Sequence, residues 1–153
     1  MAYETMIQTL EHAPEILKEM MAEVPAELMR AHRIPGKWCV HEHACHLAAG
    51  QPMLNERLRR FMQEEHPQFV PYNPENETPN DFLLKMDLNT ALDDFEKLRK
   101  AFIRQLRDLK ESDWRKEGHH PEFSRYTPFI LMRHVMFHDH LHMYRIESLI
   151  LMR

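Results

Sequence analysis

Apolar side chains return every three or four residues through four long stretches of this chain, a spacing that suits amphipathic helices packed on one another. In the first stretch Met6, Leu10, Ala13, Leu17, Met20, Val24 and Leu28 form one stripe. They predict a helix over about Tyr3 to Arg30, kinked or broken by Pro14 and Pro25. His32 to Lys37, with Pro35 and Gly36, is the turn that follows. The second stretch runs from about Trp38 to Glu65, with Leu47, Leu54, Leu58 and Phe61 on its apolar stripe and Arg57, Arg59, Arg60 and Glu64 on its polar face. Pro52 should bend it or shift its start. His66 to Pro79 holds four prolines and reads as a crossover. Thr78-Pro79 pairs an N-cap with proline at the first helical position, opening a third helix that extends to about Leu109. Glu111 to Tyr126 is expected to be a polar loop; Thr127-Pro128 then repeats the start signal for a last helix reaching almost to Arg153.

Only three glycines punctuate the chain, which argues against a turn-rich β architecture, and 153 residues suit one domain over 1–153. The expected class is all-α: a four-helix bundle with a long crossover between helices 2 and 3. The net charge is −4 with no basic arm or stripe, so nucleic acid is not an expected partner. No segment approaches the roughly 20 apolar residues of a membrane span. The first ten residues lack the apolar core of a signal peptide. Cys39 and Cys45 are six residues apart in a predicted helix, a rise of about 9 Å that forbids a disulfide between them. Reduced cysteines fit a cytoplasmic protein. The last helix is apolar on more than one face, with Phe137, Leu141 and Leu151 besides Leu131, Val135, Ile146 and Leu149, so a homodimer is expected.

Twelve histidines make placement decisive. His138 and His142 lie one helical turn apart, on a row shared with Leu131, Val135, Ile146 and Leu149. Two imidazoles facing a core are costly unless hydrogen-bonded or bound to something. The segment is also similar to the H-E-x-x-H helix of zinc proteases, with Asp139 for Glu, but only 11 residues follow His142 to supply their downstream ligand. A third ligand must come from upstream. His46, beside Leu47 and one turn after Glu42, is the leading candidate; His41 and His43 compete from positions expected to be more exposed. Glu42 could orient His46 or simply be solvated. Asp139 and Glu42 are the candidate general bases by proximity, although a salt bridge to a neighbouring helix suits Asp139 better. His134 could line a pocket or an interface, and Tyr144 and Arg145 could meet a substrate anion or pair on the surface. His12, His66, His119 and His120 are expected to be solvated.

The run Pro35-Gly36-Lys37-Trp38-Cys39-Val40-His41-Glu42-His43-Ala44-Cys45-His46-Leu47 resembles the second-helix signature of the DinB-like (DinB/YfiT) superfamily, where a tryptophan opens the helix and a histidine followed by leucine comes eight residues later. His134 to Glu147 resembles that family's last helix with its H-x-x-x-H, and Tyr126-Thr127-Pro128 resembles its lead-in. The resemblance covers essentially the whole chain and implies metal ligands at His46, His138 and His142. Cys39 stands where the family often has serine. The implied cofactor is one divalent ion; nitrogen ligation suits zinc, nickel or iron alike. The implied activities are metal-dependent hydrolysis of a small molecule or low-molecular-weight-thiol S-transfer. A non-catalytic metal- or stress-linked binding protein and a structural dimer with core histidines are the alternatives.

Overall fold

The computed structural model describes residues 3–72 and 80–153. The expected bundle is present. Its long helices are α1 (Glu4–Ala22), the pair α3 (Val40–Ala49) and α4 (Gln51–Gln63), α6 (Leu88–Asp108) and α7 (Pro128–Leu151). Short helices α2 (Ala26–Met29) and α5 (Phe82–Lys85) precede α3 and α6. A 3-10 turn (Asp113–Arg115) and a hairpin, β1 (Gly118–His120) with β2 (Phe123–Tyr126), lead into α7. Helix α6 packs against α1, α3 and α4, while α7 packs against α1 and α3. Among the described residues no helix is long and apolar enough to cross a membrane.

Local chemistry explains most boundaries. Thr127 Oγ1 accepts from Ile130 N at 3.2 Å and Pro128 follows, so α7 starts where the Thr-Pro signal places it. Cys39 caps α3 in a capping box with Glu42, lying at the helix boundary and not inside it. Both cysteines are buried and free. The expected second helix is divided at Gly50, and Pro52 falls in the first turn of α4, where its missing N–H is tolerated. The expected first helix ends at Ala22, and Pro25 stands at the N-cap position of the separate α2.

Two expectations need correction. The third helix is not continuous: α5 ends at Lys85 and α6 begins at Leu88, where Asp87 Oδ1 accepts from Thr90 N at 2.8 Å, while the Thr78-Pro79 start signal lies outside the described residues. The segment Glu111–Tyr126 is not simply a loop. Gly118 pairs with Tyr126 and His120 with Phe123 in antiparallel register. The crossover joins the hairpin through Phe69 N to His119 O at 2.8 Å and His119 N to Pro67 O at 2.9 Å. A Cβ on Gly118 would lie 2.6 Å from the Phe69 ring, so the close approach requires glycine. Strands of three and four residues are too short to show an alternating pattern.

Pro14 stays inside α1 and has a tertiary consequence. A proline cannot donate to the carbonyl four residues earlier, which frees Leu10 O. The buried Arg99 Nη1 donates to that oxygen at 3.2 Å. The same guanidinium holds Asp139 through two hydrogen bonds, at 2.5 and 3.0 Å, and donates from Nε to Gln51 Oε1 at 3.1 Å. One buried polar layer thus ties α1, α4, α6 and α7 together. On one side lies an apolar cluster containing Leu17, Leu47, Phe95 and Ile146; on the other lies one containing Leu10, Phe61, Phe102 and Leu131.

Candidate metal centre

The spacing of His138 and His142 stacks them on the face of α7 that meets α3, and α3 presents His46 to the same place. Each of the three offers a nitrogen, all within 4.8 Å of one another. His46 Nε2 and His138 Nε2 are 3.0 Å apart. His142 Nδ1 lies 2.9 Å from His43 Nδ1, which leaves its Nε2 for the cluster. Trp38 walls one side, its ring centroid 4.8 Å from that of His46 and 6.0 Å from that of His142.

Burial holds these rings neutral. It is the main reason that the pKa of His46 falls to about 3, with further lowering by His138, His43 and Arg145. His142 is pushed down to about 2, first by burial and then by the His138, His46 and His43 rings. His43 falls to about 4, through burial and then Arg145. His138 is also lowered by burial, with Asp139 opposing. In the metal-free protein the unfolded chain binds these protons near pH 6.5 while the folded chain resists them. Stability is therefore expected to be greatest above pH 6.5 and to fall as pH drops toward 4, with the metal-free midpoint of urea unfolding falling over the same range. An unchanged midpoint between pH 7 and 5 would contradict it.

The other sequence candidates sit as follows. Glu42 is buried but turned away from the cluster: its Oε2 accepts from Cys39 N at 2.9 Å and lies 2.8 Å from His32 Nε2. Burial pushes its pKa up, but hydrogen bonds from Cys39 and His32 outweigh this and hold it below the ordinary value. Asp139 is committed to Arg99, the interhelical salt bridge its position suggested. His41 and His43 are buried, contrary to expectation, because helix packing covers the first turn of α3. His41 Nε2 donates to Leu83 O at 3.1 Å, tying α3 to α5. His12, His66 and His119 are exposed as expected, whereas His120, the last residue of β1, is buried, contrary to expectation.

A cavity of about 300 Å³ opens against His46 and His138. Met53, Leu54, Leu131 and Val135 supply apolar wall; Arg57, His120, Tyr126 and His134 supply polar wall, with the exposed Glu122 also on its lining. His134 also packs edge-on against Phe123, ring centroids 5.2 Å apart. On the other side of the cluster a second cavity, about 450 Å³, is lined by Trp38, His43 and the exposed Arg145. The sequence alone does not mark Arg57, His120 or Tyr126 as site residues, and it presents His43 only as a more exposed competitor of His46. For Arg57 a signal existed: it lies at i+3 from Leu54 and i−4 from Phe61, on the edge of the apolar stripe. For His120 and Tyr126 no signal existed without the hairpin.

The family model of the DinB superfamily matches residues 9–146. The chain belongs to the DinB superfamily. Among the relatives of this DinB-superfamily chain is a protein of Oceanobacillus iheyensis named "Putative metal-dependent hydrolase", 28% identical over 116 residues, which are 76% of this chain and 67% of that one. The fold of this chain matches that of YfiT from Bacillus subtilis, with a TM-score of 0.85 at 23% identity, over 95% of this chain and 84% of the other. YfiT is described as a probable metal-dependent hydrolase with an unusual four-helix bundle topology.

Proposed function

We propose that this DinB-superfamily protein is a metal-dependent hydrolase in which His46, His138 and His142 hold one divalent ion, zinc, nickel or iron. The observation that carries the reading is the convergence of three imidazole nitrogens within 4.8 Å, those of the buried His46 and His142 and the half-buried His138, at the wall of a cavity. The donor set fits the group: neutral imidazoles are its preferred nitrogen ligands, and three of them leave a position open. Such an ion supplies Lewis acidity and a strong nucleophile at neutral pH. The names carried by the two relatives point the same way.

The chain's own residues do the rest. With its Nε2 toward the ion, His142 carries its hydrogen on Nδ1 and donates it to His43 Nδ1, which fixes tautomer and ring orientation. Asp139 and Arg99 lock the turn of α7 that carries His138 and His142. Trp38 and the apolar wall limit water at the cluster. The cavity admits a small-molecule substrate. Glu42 and Asp139, both already hydrogen-bonded elsewhere, take no part as general base.

The test is a comparison of reactions on protein loaded with zinc, nickel or iron. Hydrolysis of activated esters or amides that disappears on chelation is the expected result. Transfer of a low-molecular-weight thiol to an electrophile without any hydrolysis would assign the S-transferase activity, which the same site could host. Tight metal binding without either reaction would leave a binding protein, and no metal binding would leave core histidines.

The outer face of α7 supports the expected pairing with a second copy. Phe137 is 59% exposed, Leu141 45%, Tyr144 72% and Leu151 68%, and their spacing sets them on one stripe. We propose a homodimer through this face. Sedimentation equilibrium should show a dimer in the wild type and a monomer for Leu141→Glu. A monomeric wild type at micromolar concentration would refute it.

A further inference from the structure

The cavity beside the three histidines has one wall made of hydrogen-bond donors. Arg57 stands on α4, half-buried, its guanidinium 5.8 Å from the ring centroids of both Phe69 and Tyr126. Nη1 donates to Tyr126 Oη at 3.0 Å and Nη2 to Val70 O at 2.6 Å. Those two bonds fix the guanidinium and use two of its five N–H groups. Among the described residues no carboxylate pairs with it. Tyr126, 2% exposed, spends its oxygen as acceptor from Arg57 and keeps its O–H to donate. His120, 3% exposed, accepts from Glu122 N at Nδ1, 3.3 Å, so its ring hydrogen sits on Nε2. Its ring lies 5.0 Å from that of Tyr126, centroid to centroid.

A set of donors with one positive charge, two of them on buried side chains, is what a planar monoanion requires. We propose that the cavity takes a small organic carboxylate, held by Arg57 together with Tyr126 and His120, with the rest of the molecule directed toward His46 and His138. The volume, about 300 Å³, suits a body of benzoate size with a short extension. The exposed Glu122 on the same lining opposes a more highly charged group, which favours a carboxylate over a phosphate dianion. The assignment of this molecule as substrate rests on the hydrolase reading; the anion anchor itself does not.

Calorimetric titration of benzoate, its neutral isostere benzamide and inorganic phosphate separates the two. It is run on the metal-free protein, where no ion can capture the carboxylate, and repeated on the zinc-loaded protein. Benzoate is expected to bind at least about 10-fold more tightly than benzamide in the metal-free protein. Arg57→Met should erase that preference, Tyr126→Phe should weaken it several-fold, and His12→Ala, on the exposed face of α1, should leave it intact. The wild-type comparison of benzoate with benzamide stands even if Arg57→Met does not fold. Equal binding of benzoate and benzamide, no measurable benzoate binding, tighter binding of phosphate, or a preference that survives in a folded Arg57→Met would each overturn the proposal. Failure to bind zinc would count against the hydrolase reading alone.

Discussion

Purified without chelator or affinity tag, the wild-type protein is expected to carry about one divalent ion per chain, and the His142→Ala variant to carry almost none. His142 is one of three nitrogens within 4.8 Å, and two imidazoles alone make a weak site for these ions. Removing a residue that only orients a ligand costs about 10–100-fold in affinity, so removing a ligand itself should cost more than about 100-fold. His43→Leu, which deletes the partner of His142 Nδ1, belongs to the milder class and should weaken binding by about 10–100-fold. His119→Ala, at an exposed strand position, is the control and should keep the ion. Elemental analysis with a competitive chelator titration measures all four proteins. Equal metal content in wild type and His142→Ala would remove the three-histidine site from consideration.

Replacing Asp139 by alanine should be the most destabilising single change in the polar layer, costing about 3–5 kcal/mol. Arg99 and Asp139 are each 1% exposed, and the deletion strands a guanidinium whose remaining partners are Gln51 Oε1 and Leu10 O. For a chain of this length that cost corresponds to a fall in Tm on the order of 10 °C. The paired replacement Arg99→Met with Asp139→Leu should recover much of it, because removing both charges abolishes the unpaired one. Thermal unfolding of the metal-free forms separates this from metal loss. A cost for Asp139→Ala below about 1 kcal/mol would mean that the layer contributes little to holding the helices.

The two predictions show where sequence and structure part company. His138 and His142 were legible as a pair because four residues of helix place side chains on one face whatever the rest of the fold does. His46 emerged from three candidates only through the resemblance of its helix to a known signature. His43 reads from sequence as an exposed neighbour, since the periodicity of α3 does not reveal how deeply α7 and the Trp38 ring cover its first turn. Arg57 read as solvent-facing because it is charged, yet it points along the edge of an apolar stripe into a cavity closed by the hairpin. Glu42 lay near His46 in sequence but turned to close a capping box, a purely local demand.

By itself the sequence determined the all-α bundle, the last helix with its Thr-Pro start and the histidine pair on it. These follow from periodicity, capping and proline chemistry, which act over a few residues. Only the tertiary structure decided that Pro14 frees Leu10 O for Arg99, that Asp139 is spent on that guanidinium, that a hairpin replaces a loop, and that His120 and Tyr126 face Arg57. Apart from the pairing within the hairpin, each of these depends on residues dozens of positions apart meeting in a buried place. Their energies come from desolvation and pairing, which a one-dimensional pattern does not encode.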